Sequence, residues 1–419
     1  MARNRMKMLG AVLVAASLTA ACGTSPMQVG QLNAQNASGV KRFAAKKVDR
    51  QSEASVAEVV VRLPKGASLD FGSSEVDRFS FGDKEYVLVE GGSKVNALIA
   101  QYSGTRGVLG AQRNFKRFAL ENTVRTPGYP EPNDEFYSLQ FGLTQQNIPQ
   151  VWNVARGANT LVAVVDTGVD HSHPDLKGNV IDSPDMTFKK KWYQLGKKNP
   201  GSMDQDGHGT HVAGIIGAIA NNNIGVAGVA PNTKILGVKV LGENATMFSV
   251  MKGIAYSVNQ GAKVINLSLG GALTDSVERA FYEEDLARHN VLIVAAAGND
   301  GIANMGFPAS FKGVMAVGSV NQTKKLSNFS CYGYGMSVVA PGEGILSTFP
   351  GGTYAMIDGT SMATPFVSGA AALVWSKYPN WTAQQVRQRL EQTADDLGDA
   401  GFDPKYANGL INLQKALAD

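Results

Sequence analysis

The stretch TLVAVVDTG, residues 160–168, decides the fold, because it is a continuous apolar run that ends on one acidic residue. Such a run is typical of a strand buried on both faces of a parallel sheet. Helix and strand patterns alternate after it, with helices predicted at 208–220, 246–261 and 274–290 and strands at 234–241, 262–271 and 291–299. Thr274 is the expected N-cap of the third helix. Repeated β-α-β units predict an α/β fold with a mostly parallel central sheet and helices on both faces.

Polar residues stand where ligands bind in such sheets, outside the carboxyl ends of the strands. Asp166, Ser268 and Asn299 come at strand ends. His208 begins a helix in DGHGTHVAG, and Ser361 begins another in GTSMATP. Singly, a serine at a helix start is an N-cap and an aspartate after a strand is a turn residue. Together they supply a nucleophile, a base, an orienting carboxylate and an oxyanion donor, which is the set that acyl transfer requires.

The motifs AVVDTGVDHSHPDL, DGHGTHVAG, AAAGN and GTSMATP resemble those of the subtilisin-like serine proteases, the subtilases, in type and in order. The resemblance runs from about Pro132 to Ala418, and PNDEFYSLQFGL is similar to the N-terminal segment of the thermitase-like branch. It implies a serine endopeptidase that acts on proteins and peptides. One residue departs from the family pattern, because Phe366 stands where relatives usually have histidine. We expect Phe366 to alter the packing and leave the chemistry intact.

The resemblance also implies the role of each catalytic residue. Ser361 is expected to attack the peptide carbonyl, and His208 to take its proton and pass it to the leaving amine. Asp166 is expected to orient and stabilise the imidazole. Asn299 and the Ser361 backbone N–H are expected to donate to the oxyanion.

Four other reactive side chains are expected to be structural. His211 lies one helical turn beyond His208 and is predicted to pack in the core. His171 and His173 are predicted to be surface or turn residues. Cys331 is predicted to be a small buried hydrophobe, because NFSCYGYG holds no partner chemistry.

In relatives the substrate binds as an added β-strand between two backbone segments. The resemblance places the backbone segments at Ser268, Leu269, Gly270 and Gly242, an apolar pocket upstream of the cut at Phe248, Met251 and Leu269, and the primary pocket at Ala296, Ala297 and Gly298. For Met251 and Leu269 a plain core position is an equal alternative. The small residues of the primary pocket predict a preference for large apolar side chains.

The segment NNNIGVAG, residues 221–228, resembles the calcium loop of the family. The resemblance implies a structural Ca²⁺ ion held by oxygen atoms of Asp134, Asp175, Asn222, Ile224 and Val226. Hard oxygen ligands drawn from separated segments suit calcium. A simple turn at 221–223 is the alternative.

The first 131 residues divide into four parts by composition. Residues 1–21 carry a basic start and a short apolar run, which predicts a secretory signal peptide. Cys22 stands where a lipoprotein signal would have its lipid-modified cysteine, and ordinary cleavage near Ala21 is the competing interpretation. Residues 22–55 are a polar linker, residues 56–120 a small α+β unit, and residues 121–131 a proline-rich boundary before the peptidase domain, residues 132–419.

Charge is distributed unevenly between these parts. The leader, residues 1–120, has 17 Lys and Arg against 9 Asp and Glu, whereas residues 121–419 have 22 against 26. Opposite net charges favour association of the two. An acidic main body without a basic stripe argues against nucleic acid as a partner.

The α+β unit at 56–120 resembles a subtilase pro-domain, which implies a folding aid and intramolecular inhibitor. We therefore expect a secreted, monomeric endopeptidase made as a self-processed proenzyme, with membrane attachment only through a lipid on Cys22. Two alternatives remain: a surface lipoprotein that keeps the fold for binding, and a processing peptidase with few substrates.

Overall fold

The computed structural model describes residues 40–42, 57–67, 69–71, 74–115, 118–119, 132–187, 201–243 and 245–419. These residues belong to one compact unit, Gly39–Asp419. The predicted signal peptide, Cys22 and most of both linkers lie outside the described residues. In the described part of the chain, no helix combines the length and the apolar character needed to cross a membrane.

The described part of the leader contains six strands and one helix, namely β1 (Val40–Arg42), β2 (Glu58–Pro64), β3 (Glu75–Phe81), β4 (Lys84–Glu90), α1 (Val95–Ser103), β5 (Gly110–Arg113) and β6 (Phe118–Ala119). Four strands form an antiparallel sheet in the order β3-β4-β2-β5. The sheet has an apolar residue on nearly every position of β2 because both of its faces are covered. Val59, Val61 and Val87 pack in the cluster that contains α1, whereas Val60 and Leu88 pack in a cluster of the peptidase domain. The α+β architecture predicted for 56–120 is therefore present.

The peptidase domain is built on a seven-stranded sheet whose neighbouring strands are all parallel. Its strands are β7 (Leu161–Asp166), β8 (Val180–Ile181), β9 (Lys234–Lys239), β10 (Val264–Leu267), β12 (Leu292–Ala296), β13 (Met315–Val320) and β14 (Met336–Pro341), in the order β14-β13-β12-β10-β7-β9-β8. The remaining strands are β11 (Leu269–Gly270), β15 (Ile345–Phe349) and β16 (Thr353–Ile357). Two of these pair with the leader: β11 is antiparallel to β6, and β16 is parallel to β1.

The helices of the domain are α2 (Phe141–Gln145), α3 (Ile148–Val151), α4 (His208–Gly217), α5 (Met247–Asn259), α6 (Ser276–Ala280), α7 (Thr360–Lys377), α8 (Ala383–Gln392) and α9 (Leu413–Ala416). Alternate residues of β7 face opposite sides of the sheet. Val162 and Val164 pack in the core that contains α4 and α7, whereas Ala163 and Val165 pack in the core that contains α5. This arrangement confirms the predicted α/β fold with helices on both faces.

The third predicted helix differs from the expectation. It starts as α6, widens to a π turn at Phe281–Asp285 and ends in a 3₁₀ turn at Leu286–Arg288. The prediction of Thr274 as its N-cap is wrong, because Asp275 holds that position and its carboxylate accepts from the Ser276 amide. The Thr274 hydroxyl instead donates to Glu278, at 2.9 Å.

Candidate active site

Asp166 and His208 form a buried pair at the carboxyl edge of the sheet. Asp166 ends β7 and His208 begins α4. Asp166 Oδ1 lies 2.7 Å from His208 Nδ1, and neither side chain is accessible to solvent. Burial raises the pKa of the Asp166 carboxyl, whereas His208 and the Thr167 amide favour its charged form and oppose the rise. The carboxylate is placed to fix the tautomer of the imidazole.

The start of α4 is held by Asp204, which the sequence analysis missed. Asp204 Oδ1 accepts from the Thr167 hydroxyl at 2.9 Å, and Oδ2 accepts from the Thr210 hydroxyl at 2.6 Å. This buried carboxylate therefore ties the residue after Asp166 to the first turn of the His208 helix. An acid shortly before a helix start, as in DQDGH, is an N-cap signal that could have revealed it.

Two other histidines, His211 and His173, occupy structural positions. His211 is buried, and its Nε2 lies 3.0 Å from the carbonyl oxygens of Ile345 and Ala355. Burial lowers the pKa of His211 to about 3, so it stays neutral and hydrogen-bonded in the core, as predicted. His173 lies in a turn, which is one of the two predicted alternatives, and it is fully buried, with its ring hydrogen-bonded to the Thr353 carbonyl and to the amide of Asp175.

Ser361 lies in the first turn of α7 and is bonded reciprocally to Ser268. Ser361 Oγ donates to the Ser268 carbonyl at 3.0 Å, and Ser268 Oγ donates to the Ser361 carbonyl at 2.7 Å. Helices α4 and α7 pack against each other, and His208 and Ser361 each lie in the first turn of one of them. The unsatisfied N–H groups of the first turn make this position favourable for negative charge.

The side chain of Asn299 is held through its oxygen by Thr360, while its amide nitrogen is not part of these hydrogen bonds. Asn299 Oδ1 accepts from the amide and the hydroxyl of Thr360, at 3.0 and 2.8 Å. Asn299 Nδ2 is buried, and no acceptor for it lies among the described residues. Thr360 also accepts from the Gly298 amide, at 3.2 Å. Thr360, which the sequence analysis did not single out, therefore leaves an N–H donor of Asn299 free for a ligand oxygen.

The predicted primary-pocket residues form one continuous segment at the end of β12, where Ala296 is the last residue of the strand. Ala296 and Ala297 are buried, and Gly298 has a left-handed φ of +117°. The Gly306 amide, also missed, donates to the Ala297 carbonyl at 3.1 Å and so adds backbone to this wall. Cys331 is buried behind it, as predicted, since a Cβ on Gly298 would lie 3.2 Å from its sulfur.

The predicted strand-binding segment already pairs with an extended chain. Leu269 is paired with Ala119 and Gly270 with Phe118, in the antiparallel ladder of β11 and β6. Gly242, on the other predicted side, has open space around its Cα, because a Cβ built there meets nothing within 4 Å.

The residues predicted for the upstream apolar pocket are all buried. Met251 and Leu269 belong to the core cluster of the α5 side, which is the alternative given for them. Phe248 lies in the same cluster, and its ring contacts Phe79 of the leader with centroids 5.3 Å apart.

The predicted calcium ligands converge on the loop at 221–226. Asn222 is hydrogen-bonded to two of them. Its backbone N–H donates to Asp134 Oδ1 at 3.3 Å, and its side-chain Nδ2 donates to Asp175 Oδ1 at 2.8 Å. Asp175 also accepts from the Val226 amide and the Tyr354 hydroxyl. Burial raises the pKa of Asp175. Among the described residues no three His, Cys, Asp or Glu side chains form a metal cluster, so carbonyl and amide oxygens, including those of Ile224 and Val226, would have to complete the set.

Comparisons with known proteins agree with this geometry. Residues 157–409 match the model of the subtilase family. The chain is 41% identical to thermitase of Thermoactinomyces vulgaris over 289 residues, which cover 68% of this chain and 99% of thermitase. It is 41% identical to subtilisin of Bacillus pumilus over 288 residues, 67% of this chain and 98% of that subtilisin.

A solved structure extends the similarity to the leader. Fervidolysin from Fervidobacterium pennivorans, described as a keratinolytic enzyme related to subtilisin, superimposes with a TM-score of 0.76 at 28% identity. The match covers 90% of this chain and 63% of the fervidolysin chain. Residues 157–409, which the family model matches, contain the whole seven-stranded sheet and the four motifs of the site. This chain therefore belongs to the subtilase family and is a subtilisin-like serine endopeptidase.

Proposed function

We propose that the chain hydrolyses peptide bonds in proteins through Asp166, His208 and Ser361. Ser361 Oγ attacks the carbonyl carbon while His208 Nε2 takes its proton, and the same proton passes to the leaving amine. Water then attacks the acyl carbon while His208 takes its proton. That proton passes to Ser361 Oγ as the bond between the acyl group and Ser361 breaks. The observation that carries the proposal is the buried 2.7 Å contact of Asp166 Oδ1 with His208 Nδ1, which fixes the orientation of the imidazole ring.

Asn299 Nδ2 and the Ser361 amide are proposed to stabilise the oxyanion. The support is that Asn299 Oδ1 is already held by Thr360, so the amide needs no reorganisation during the reaction. Donors fixed in advance at the site of developing charge are the largest single contribution in many enzymes.

The substrate is proposed to bind as a strand along Ser268–Gly270, opposite Gly242. The pairing of β6 with β11 supports this, because it shows that this backbone accepts an extended chain in antiparallel register. Ala296, Ala297 and Gly298 would receive a large apolar side chain of the substrate.

Residues 56–120 are proposed to be the pro-domain, and the same pairing supports an inhibitory role. Its last strand, β6, occupies the segment where the substrate would bind. We propose further that Ser361 cuts the proline-rich linker at 121–131, and that the monomeric enzyme is exported by the signal at 1–21, either free or held by a lipid on Cys22.

A structural Ca²⁺ ion is proposed at Asp134, Asp175, Asn222, Ile224 and Val226. Asp175 supports it, since this buried carboxylate faces no cationic side chain among its described hydrogen-bond partners. A bound cation would supply that charge and tie the 221–226 loop to the body of the domain.

Hydrolysis of a chromogenic peptide, with and without a serine-reactive inhibitor, tests the function. We expect hydrolysis that the inhibitor abolishes, and an Ser361→Ala chain that folds but accumulates uncut in a host without other proteases. A folded wild-type chain that neither hydrolyses the peptide nor cuts its own linker would instead support the alternative of a binding protein. An Ser361→Ala chain that matures normally would exclude self-processing.

A further inference from the structure

An aromatic cluster lies in the contact between the leader and the peptidase domain. Phe79 stacks on Tyr86 with centroids 4.9 Å apart, and Phe81 and Tyr86 each lie 5.3 Å from Phe281 of the domain. Such a surface adheres to many partners, because apolar burial is not directional. Selectivity therefore has to come from polar groups set within it.

One charged cluster lies inside this apolar contact. Arg62 of β2 donates from Nη2 to Asp285 Oδ1 at 2.7 Å and from Nε to Asp285 Oδ2 at 3.1 Å. The Tyr86 hydroxyl donates to the same carboxylate, and Arg62 Nη2 also reaches Glu284 at 3.1 Å. The side chains of Arg62 and Asp285 are only 6% and 3% exposed, whereas that of Glu284 is 60% exposed. The forked geometry is that of the strong arginine–carboxylate pairs.

The leader presents this cluster in a fixed geometry. Arg62 and Tyr86 are direct partners in the antiparallel register of β2 and β4. Both side chains therefore leave the same face of the sheet at adjacent positions. Burial lowers the pKa of the Arg62 guanidinium, but the hydrogen bonds to Asp285 and Glu284 outweigh it, and the pKa is raised above its ordinary value. On the domain side, Asp285 is the last residue of the π turn.

We propose that the hydrogen bonds from Arg62 and Tyr86 to Asp285 form a selective lock. This lock sets how long the cut leader stays bound to the peptidase domain. The lock rests on the proposed pro-domain role. The partner that Asp285 selects is a sheet face on which an arginine and a tyrosine lie side by side among apolar side chains. A sheet with the apolar face but without the pair would leave Asp285 buried and unpaired, which is costly.

The interface contains a matched exposed pair. Arg288 of the domain donates to Asp83 of the leader at 2.9 Å, but the two side chains are 56% and 67% exposed. Salt screens exposed pairs strongly and buried pairs weakly. Comparing the buried pair Arg62–Asp285 with the exposed pair Arg288–Asp83 therefore distinguishes the lock from general charge attraction across the same surface.

The test uses the self-processing full chain after its linker has been cut. Dilution into a chromogenic peptide gives the rate of leader release from the return of activity, and size-exclusion chromatography shows whether the leader still co-elutes. We expect Arg62→Met to release the leader at least about thirtyfold faster in both 0.1 M and 1 M NaCl. Arg288→Gln should change the rate less than about threefold, and not at all in 1 M NaCl.

A triple variant guards against misfolding. Arg62→Met/Tyr86→Phe/Asp285→Leu replaces the cluster by apolar groups of similar size and should regain slow release, because no charge is left unpaired. Equal release by Arg62→Met and the wild type would overturn the lock. If the cut wild type is fully active while its leader co-elutes, the inhibitory role fails and the lock stands. If the wild-type leader does not co-elute at all, both are excluded.

Discussion

The ring of Phe366 occupies the space that a side chain on Gly142 would need. A Cβ built on Gly142 would lie 2.5 Å from Phe366 Cζ, and Phe366 is buried in the core beside α2. Phe366, which stands where the resemblance leads one to expect histidine, thus packs against a glycine that lies far from it in the sequence.

This contact predicts a coupled effect on stability. Gly142→Ala should lower the free energy of unfolding by about 1–3 kcal/mol, because the added methyl overpacks the core. In a Phe366→Leu background the same change should cost clearly less. Urea unfolding of full chains that also carry Ser361→Ala measures both. An equal cost in the two backgrounds would show that the ring does not confine Gly142.

The orientation of Asn299 predicts a kinetic relationship with Thr360. Asn299→Ala should lower kcat about 10²- to 10³-fold with little change in KM, a magnitude established for the corresponding donor of subtilisin. Thr360→Val should lower kcat by about tenfold, since the amide loses one of the groups that orient it. Added to Asn299→Ala, it should have almost no further effect. Independent, multiplying losses in steady-state kinetics would contradict this arrangement.

Asp358, three residues before Ser361, predicts an unusual dependence of stability on pH. Burial raises the pKa of its carboxyl to about 7, with the nearby charge of Glu343 adding to the rise and the Gly344 amide opposing it. The folded state therefore holds a proton that the unfolded state releases above about pH 4, so this group destabilises the fold as pH rises from 4 to 7. Asp358→Asn should raise the Tm more at pH 8 than at pH 5.

Asp170 serves as a control for Asp358, because its carboxyl pKa is shifted in the opposite direction. Hydrogen bonds from Ser172 and the Gly351 amide lower the pKa of its carboxyl despite partial burial. Its contribution to stability is present above the ordinary pKa of aspartate and is lost as pH falls through the lowered value. Asp170→Asn should therefore lower the Tm at pH 8 and matter less in acid. A uniform gain from Asp358→Asn at both pH values would show that its carboxyl is already ionised when folded.

The proposed calcium site predicts a stability effect that depends on Asp175. A chelator should lower the Tm more than it lowers turnover at low temperature, because the ion binds the native state only. Asp175→Ala should remove most of the sensitivity, whereas Asp170→Asn, in the same segment but outside the proposed ligands, should keep it. A Tm that ignores both calcium and chelator would exclude the site.

The proposed catalytic residues could be predicted from the sequence because strand ends and helix starts are local features. Asp166 and Asn299 follow apolar runs that stop at a polar residue, His208 begins a helix pattern, and the parallel sheet brings strand ends to one edge. The cap at Asp275 was misassigned by one position because two neighbouring residues could both serve. The burial of His173 in its turn was not predicted, because its ring bonds Thr353, far away in the chain.

Contacts between distant segments were beyond sequence reasoning. Nothing local in Arg62 or Asp285 indicates that they meet, since the meeting depends on how the leader sheet lies on the π turn. Asp204 and Thr360 act through hydrogen bonds whose partners only the fold supplies. The opposite charges of leader and domain indicated association, but not the buried pair within it.

Labelling with a fluorophosphonate, followed by peptide mapping, tests the central claim most directly. The reagent mimics the attacked carbonyl and forms a stable bond to an activated serine. We predict one adduct per matured chain, on Ser361, formed in parallel with loss of peptide hydrolysis and abolished by His208→Ala. A chain that hydrolyses peptides at full rate with Ser361 unlabelled, or that carries the adduct on another serine, would contradict the account.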